Sequence, residues 1–140
     1  MRNNSTKTIL AVFTVLITAM IIFYGCGDDE ETGIGPVKDV KVEPQINQDL
    51  ANKGKQIFDV KCVACHKFDE KLVGPPLKGV TQRRKPEWIM NMILNPDQMT
   101  KENTIAKGLL GQYLIQMTFQ NVTQDDARAI YEYFRTVDKQ

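Results

Sequence analysis

A small all-α domain is the fold class this sequence predicts, and three observations predict it. Apolar residues recur at helical spacing in separate stretches after residue 50, no stretch there alternates like a half-buried strand, and the segments between the helical stretches are long. The chain has 140 residues, enough for one domain of ordinary size. A compact domain rarely holds nineteen residues without a regular element, as in KFDEKLVGPPLKGVTQRRK at 67–85, unless something fills the middle. The expectation is therefore about four helices packed around a bulky apolar body that the side chains alone do not supply.

The first helix starts near Leu50, with Asp49 as its N-cap. Leu50, Gly54, Ile57 and Phe58 fall on one face. Gly54 costs that helix about 1 kcal/mol relative to alanine, and a glycine there marks close approach by another helix. The second helix begins at Pro86, a good first-turn residue, and runs to Leu94. It stops at Asn95 because Pro96 disfavours helix in the residue before it. The third covers about Thr104 to Tyr113. The last begins after Thr123, an N-cap with Asp126 three residues on, and its apolar stripe is Ala127, Ile130, Tyr131, Phe134 and Val137.

The N-terminus reads as an export signal over residues 1–25. Arg2 and Lys7 precede a run from Ile9 to Tyr24 that is apolar apart from Thr14 and Thr18. Sixteen residues fall short of the ~20 that cross a bilayer as a helix and suit a signal peptide. Gly25-Cys26 then resembles the lipobox of bacterial lipoproteins, with Phe23 and Tyr24 bulkier than usual; the resemblance implies lipidation of Cys26. An uncleaved membrane anchor is the alternative, and either tethers the chain to the exported face of a membrane. Residues 26–49 are rich in Gly, Pro and acids, without period, and read as a flexible tether. Within that segment Val37, Val40 and Val42 offer a short strand against the domain as a second reading. The domain proper is expected over 50–140.

Charge divides the same way. Residues 27–49 carry a net −5 and residues 50–140 a net +4, within a formal total of +1. That total offers no electrostatic footprint for nucleic acid, and no nucleic-acid partner is expected.

The chemistry concentrates at CVACH, residues 62–66, which contains the only histidine. Structural zinc needs about four protein ligands, and Cys62, Cys65 and His66 leave the shell short, since the remaining cysteine is Cys26. A thioredoxin-like dithiol belongs beside a βαβ pattern, which is absent. C-x-x-C-H is the attachment motif for c-type haem. On a helical turn, residues three and four apart share a face, so Cys62 and Cys65 can meet two vinyl groups while His66 comes under the iron. One covalent haem c is the expected cofactor.

With these pieces in order the chain resembles the class I cytochromes c, the small monohaem bacterial type, over roughly residues 50–138. The resemblance rests on Gly54-Lys55-Gln56-Ile57-Phe58 before Cys62, on Gly74-Pro75-Pro76-Leu77-Lys78-Gly79, on a methionine before the final helix, and on that helix with Tyr131 and Phe134. It implies that the Pro75 carbonyl accepts from the second ring nitrogen of His66, a fixed acceptor of the kind that sets a ligand's tautomer. It implies that Leu77 packs on the haem face, that the first and last helices cross with Gly54 facing Tyr131 or Phe134, and that Met117 is the sixth iron ligand. Thr118 stands where relatives often carry proline. Met99, in a polar loop, is the competing ligand, and Met90 and Met92 read as core. Trp88, Arg83 and Arg84 are possible propionate partners.

The function these readings imply is single-electron transfer between membrane or periplasmic respiratory partners, without enzymatic chemistry, because His/Met ligation fills both axial sites and raises the potential. The alternative is a haem-based ligand sensor or peroxidase-like enzyme with a labile methionine; the absence of a second histidine to act as acid or base speaks against it. The +4 domain suits brief contact with acidic redox proteins, of which a terminal oxidase, a quinol-oxidising complex or a periplasmic reductase each fit.

Overall fold

The computed structural model describes residues 28–140, and among them there are helices but no strands. The expected signal, its apolar run and Cys26 lie outside the described residues. The order is α1 (Asp28–Thr32), α2 (Gln48–Lys61), α3 (Val80–Arg83), α4 (Pro86–Leu94), α5 (Pro96–Glu102), α6 (Thr104–Tyr113) and α7 (Gln124–Asp138). The all-α expectation holds, and its four helices are α2, α4, α6 and α7. Three short helices were not foreseen. No helix among the described residues is long and apolar enough to cross a membrane.

Local signals explain the boundaries. α2 is capped by Asn47, whose side chain accepts from the Leu50 amide at 3.0 Å, rather than by Asp49. Asp49 sits inside the first turn, where a negative charge complements the helix dipole. Pro96 ends α4 as expected, but it also opens α5, since its fixed φ suits a first helical position. Asn103 caps α6 through the Ala106 amide at 3.1 Å. Thr123 and Asp126 form a full capping box on α7, each side chain accepting from the other's backbone amide at 3.1 Å.

α2 and α7 cross at Gly54. A Cβ there would run into the carbonyl of Ala129 and lie 2.8 Å from the Ile130 amide nitrogen. The close approach is thus to the Ala129–Ile130 backbone, not to Tyr131 or Phe134 as expected. Helix backbones come this near only where one lacks a side chain. Phe58, Phe68, Tyr133 and Phe134 stack beside the crossing with ring centroids 5.2–6.4 Å apart. They tie the chain just past His66 to both helices.

The flexible tether expected over residues 26–49 is corrected for residues 30–47, which lie along the domain as an ordered strap. Val37 is 1% exposed. The buried Asn91 side chain accepts from the Val37 amide at 3.0 Å and donates to the carbonyls of Val37 at 2.8 Å and Thr32 at 3.0 Å. The Val40 amide donates to Glu87 at 2.8 Å, so this stretch does pack on the domain, though bonded to side chains and not as a strand. Gly33 adopts φ +77°, and a Cβ on Gly35 would strike the Asn91 amide. Glycines that read as flexibility are here because no other residue fits. Further along, the Asn47 amide meets the Glu132 carboxylate at 2.9 Å, and Arg135 donates to the Glu43 carbonyl at 2.8 Å. Burial alone would raise Glu132, but Arg128, the Asn47 amide and Arg135 hold it below its usual range.

Candidate functional site

The C-terminus of α2 delivers the CVACH turn. The Cys62 amide closes the helix on the Phe58 carbonyl at 2.9 Å, and the amides of Cys65 and His66 fold back to the Cys62 carbonyl at 3.1 and 3.0 Å. One tight turn thus carries two thiols and an imidazole. The chain then laces back on itself: Gly74 to Cys65 at 2.9 Å, Leu77 to Lys67 at 3.0 Å, Lys78 to Phe68 at 3.0 Å. This lacing brings the Pro75 carbonyl to 3.1 Å from His66 Nδ1. A carbonyl oxygen can only accept, so Nδ1 carries the proton and Nε2 keeps its lone pair. Burial lowers the His66 pKa, partly opposed by the Pro75 bond, and keeps the ring neutral at neutral pH. Gly74 lies directly against the ring; a Cβ there would come within 2.9 Å of Nδ1.

These groups edge an open, mostly apolar cavity. Cys62, Cys65, His66, Pro75, Leu77 and Met117, the residues singled out from sequence, all line it. Cys26 lies outside the described residues. The rest of the lining is mostly apolar and includes Phe58 of α2, Val80 of α3, Trp88, Ile89 and Ile93 of α4, Leu109 and Leu110 of α6 and Ile130 of α7. Met92, read as core, also lines it. Met99 does not: it is fully buried, with its sulfur 3.0 Å from the Ile34 amide nitrogen. Sequence reasoning missed Val80, Leu109, Leu110 and Tyr113, although the apolar spacing of α6 pointed to a buried face.

Arg83 and Arg84 reach the cavity wall, each donating to a nearby carbonyl, Lys78 at 2.6 Å and Arg83 at 2.8 Å. The Trp88 indole N–H donates to Asn103 at 3.1 Å, so that proton is committed away from any carboxylate in the cavity.

The donor set answers the question CVACH raised. Among the described residues no group of three or more His, Cys, Asp and Glu side chains could hold a metal ion, which disfavours zinc. Burial pushes the Cys62 thiol up to about 11, the opposite of the low value that a reactive thiolate needs. Cys62 and Cys65 are not joined to each other in a disulfide. Two cysteine side chains and an imidazole on one turn, edging a mostly apolar cavity, fit a covalently attached haem.

The chain matches the cytochrome c family over residues 51–138. Among solved structures it is similar to a cytochrome c from Rhodothermus marinus at 42% identity and a TM-score of 0.77, covering 80% of this chain and 97% of that one. That share exceeds residues 51–138, so the likeness reaches beyond the family match. An engineered form of the Rhodothermus protein described as bound to a carbene intermediate matches at 41% identity and a TM-score of 0.74, over 81% of this chain and 98% of that one. The cytochrome c domain of a Pseudomonas putida protein is similar at 26% identity and a TM-score of 0.55, over 62% of this chain and 89% of that one. No curated protein matches. The chain belongs to the cytochrome c family, as a class I c-type cytochrome with haem c bound covalently through Cys62 and Cys65.

Proposed function

We propose that this cytochrome is a single-electron carrier with His66 and Met117 as the axial ligands of its haem, working between respiratory redox partners on the exported face of a membrane. The observation that carries the reading is the 3.1 Å contact of His66 Nδ1 with the Pro75 carbonyl, which leaves Nε2 free as a donor in a cavity that Met117 also lines. When bound, haem c supplies a one-electron iron couple, and a histidine–methionine pair raises its potential. The protein's part is to hold a neutral imidazole in one tautomer, to present a thioether, and to keep most water out with the apolar walls. Electron transfer needs nothing more of the side chains. Cys26 is the proposed lipid anchor, with residues 1–25 removed as its signal.

The ordered strap changes how such an anchor would act. Glu30 is already fastened: its carboxylate accepts from the Thr104 hydroxyl at 2.8 Å, and its carbonyl from Asn103 at 2.9 Å. Four residue steps separate it from Cys26, a reach of at most about 14 Å. A free chain over 27–49 would span about 25–30 Å r.m.s.. The haem domain is therefore held near the bilayer surface, and donor and acceptor must come to it.

A second reading, a ligand-binding or catalytic haem, draws support from the engineered Rhodothermus protein whose description includes a carbene intermediate. One set of measurements separates the two. The ferric protein should show the near-infrared charge-transfer band of methionine–iron ligation, and the ferrous protein should bind carbon monoxide slowly and weakly. Met117→Ala should abolish the band and open the iron to carbon monoxide. Fast, tight carbon monoxide binding by the unaltered protein would favour the second reading instead.

A further inference from the structure

We propose that Gln116, held by Thr100, is a positioning residue that pins the Met117 loop to α5 and so sets how readily a small external ligand replaces the Met117 thioether. The inference rests on the reading of Met117 as an axial ligand.

The loop between α6 and α7 is anchored in the core at Val122, next to α7, and is more exposed ahead of Met117. Two non-glycine residues in left-handed conformation bound it, Leu114 at φ 60° and Asn121 at φ 52°. That conformation is sterically unfavourable for a leucine. Leu114 is 82% exposed, Ile115 57% and Phe119 51%, while Val122 is buried in the core and Met117 is partly buried against it. Among the described residues, two side-chain hydrogen-bond connections fasten it elsewhere. Lys61 Nζ reaches the Gln120 carbonyl at 3.0 Å, but in the open. The other runs through Gln116.

The Gln116 amide is used at both ends. Nε2 donates to the Met117 carbonyl at 3.0 Å and to the Pro96 carbonyl at 3.3 Å, while Oε1 lies 2.9 Å from Thr100 Oγ1. Thr100 is buried on α5. Its single hydroxyl proton is shared among Gln116 Oε1, the Pro96 carbonyl at 2.9 Å and the Asp97 carbonyl at 3.1 Å. The Met117 and Pro96 carbonyls can only accept, so the end of the Gln116 amide that faces them is Nε2 and the end that faces Thr100 is Oε1. Thr100 and Gln116 both line the haem cavity, so the fastening lies beside the methionine. Replacing the thioether requires Met117 to swing away. Where the loop backbone moves with it, the Met117 carbonyl leaves Gln116, or Gln116 leaves α5.

The test is cyanide binding by the ferric holoprotein, read from the Soret band alongside the near-infrared methionine–iron band. Gln116→Leu should tighten apparent cyanide affinity roughly tenfold, equivalent to ~1.4 kcal/mol, while the methionine–iron band persists without cyanide. Thr100→Val should move affinity the same way by less, and Thr100→Ser, which restores the hydroxyl, should return it to the starting value. Asn47→Ala, which weakens a helix cap far from the cavity, controls for general stability and should leave affinity unchanged. Should Gln116→Leu fail to fold, the Thr100 pair carries the same comparison. Unaltered affinity in Gln116→Leu, or an equal rise in Asn47→Ala, overturns the proposal. Met117→Ala separates the two levels. If it keeps the band, the axial reading fails and this proposal falls with it; if it loses the band while Gln116→Leu has no effect, only this proposal is wrong.

Discussion

Asn91 grips both backbone groups of Val37, accepting from its amide at 3.0 Å and donating to its carbonyl at 2.8 Å, across 54 positions of sequence. One side chain thereby does for the strap what a neighbouring strand does in a sheet. The same amide also serves the Thr32 carbonyl. Asn91→Ala should leave these buried groups without partners and cost about 2–4 kcal/mol, one to three per orphaned group less some rehydration. Hydrogen exchange should then rise over residues 32–42 well before it rises in α2 or α7. Uniform exchange throughout the protein would contradict a separately fastened strap.

Gly54→Ala pits local propensity against packing. Alanine favours the helix by about 1 kcal/mol. Against that, its Cβ meets the Ala129 carbonyl, a backbone atom that cannot rotate aside. Overpacking of this kind costs about 1–3 kcal/mol, so thermal unfolding should show a net loss. A gain in melting temperature would mean that the helices separate more easily than their packing implies.

Gly74→Ala addresses the histidine. The added methyl would lie 2.9 Å from His66 Nδ1 and 3.1 Å from Nε2, and so must push the ring out of its place. Haem attachment should survive, because the two cysteines sit on a different stretch of backbone. The midpoint potential should shift by about 60 mV or more, a decade in the one-electron equilibrium. A variant with unchanged potential and spectrum would remove the basis for a fixed imidazole.

Asp126 gives the acid limb of stability a definite shape. An ion pair with Lys53 at 2.9 Å, then the Thr123 amide and hydroxyl, hold its pKa down to about 2. A depressed carboxylate stabilises the fold above its unfolded value, near ~3.9, and loses that contribution as pH falls through its folded value. Asp126→Asn should therefore cost about 1 kcal/mol at neutral pH, the scale of a cap and a surface ion pair. The gap from the unaltered protein should close between roughly pH 4 and 2. A gap that stays constant through that range would mean that charge plays no part.

What the sequence by itself determined is whatever is encoded within a few residues. Pro86 and Pro96 bracket α4, Thr123 and Asp126 start α7, and Cys62, Cys65 and His66 share one turn, because caps, prolines and helical spacing act over three or four positions. The tertiary structure decided matters in which the partner lies far away in the chain. Residues 30–47 have the composition of a flexible segment, and no period distinguishes an extended strap from a loose one when its bonds go to single side chains such as Asn91 and Glu87. Met99 and Met117 each stand between a glutamine and a threonine. Only packing sends the first against Ile34 and the second to the cavity. Gly54 announced a close approach but not its partner, since a missing Cβ says that something comes near and only the crossing angle of two helices fixes which backbone it is.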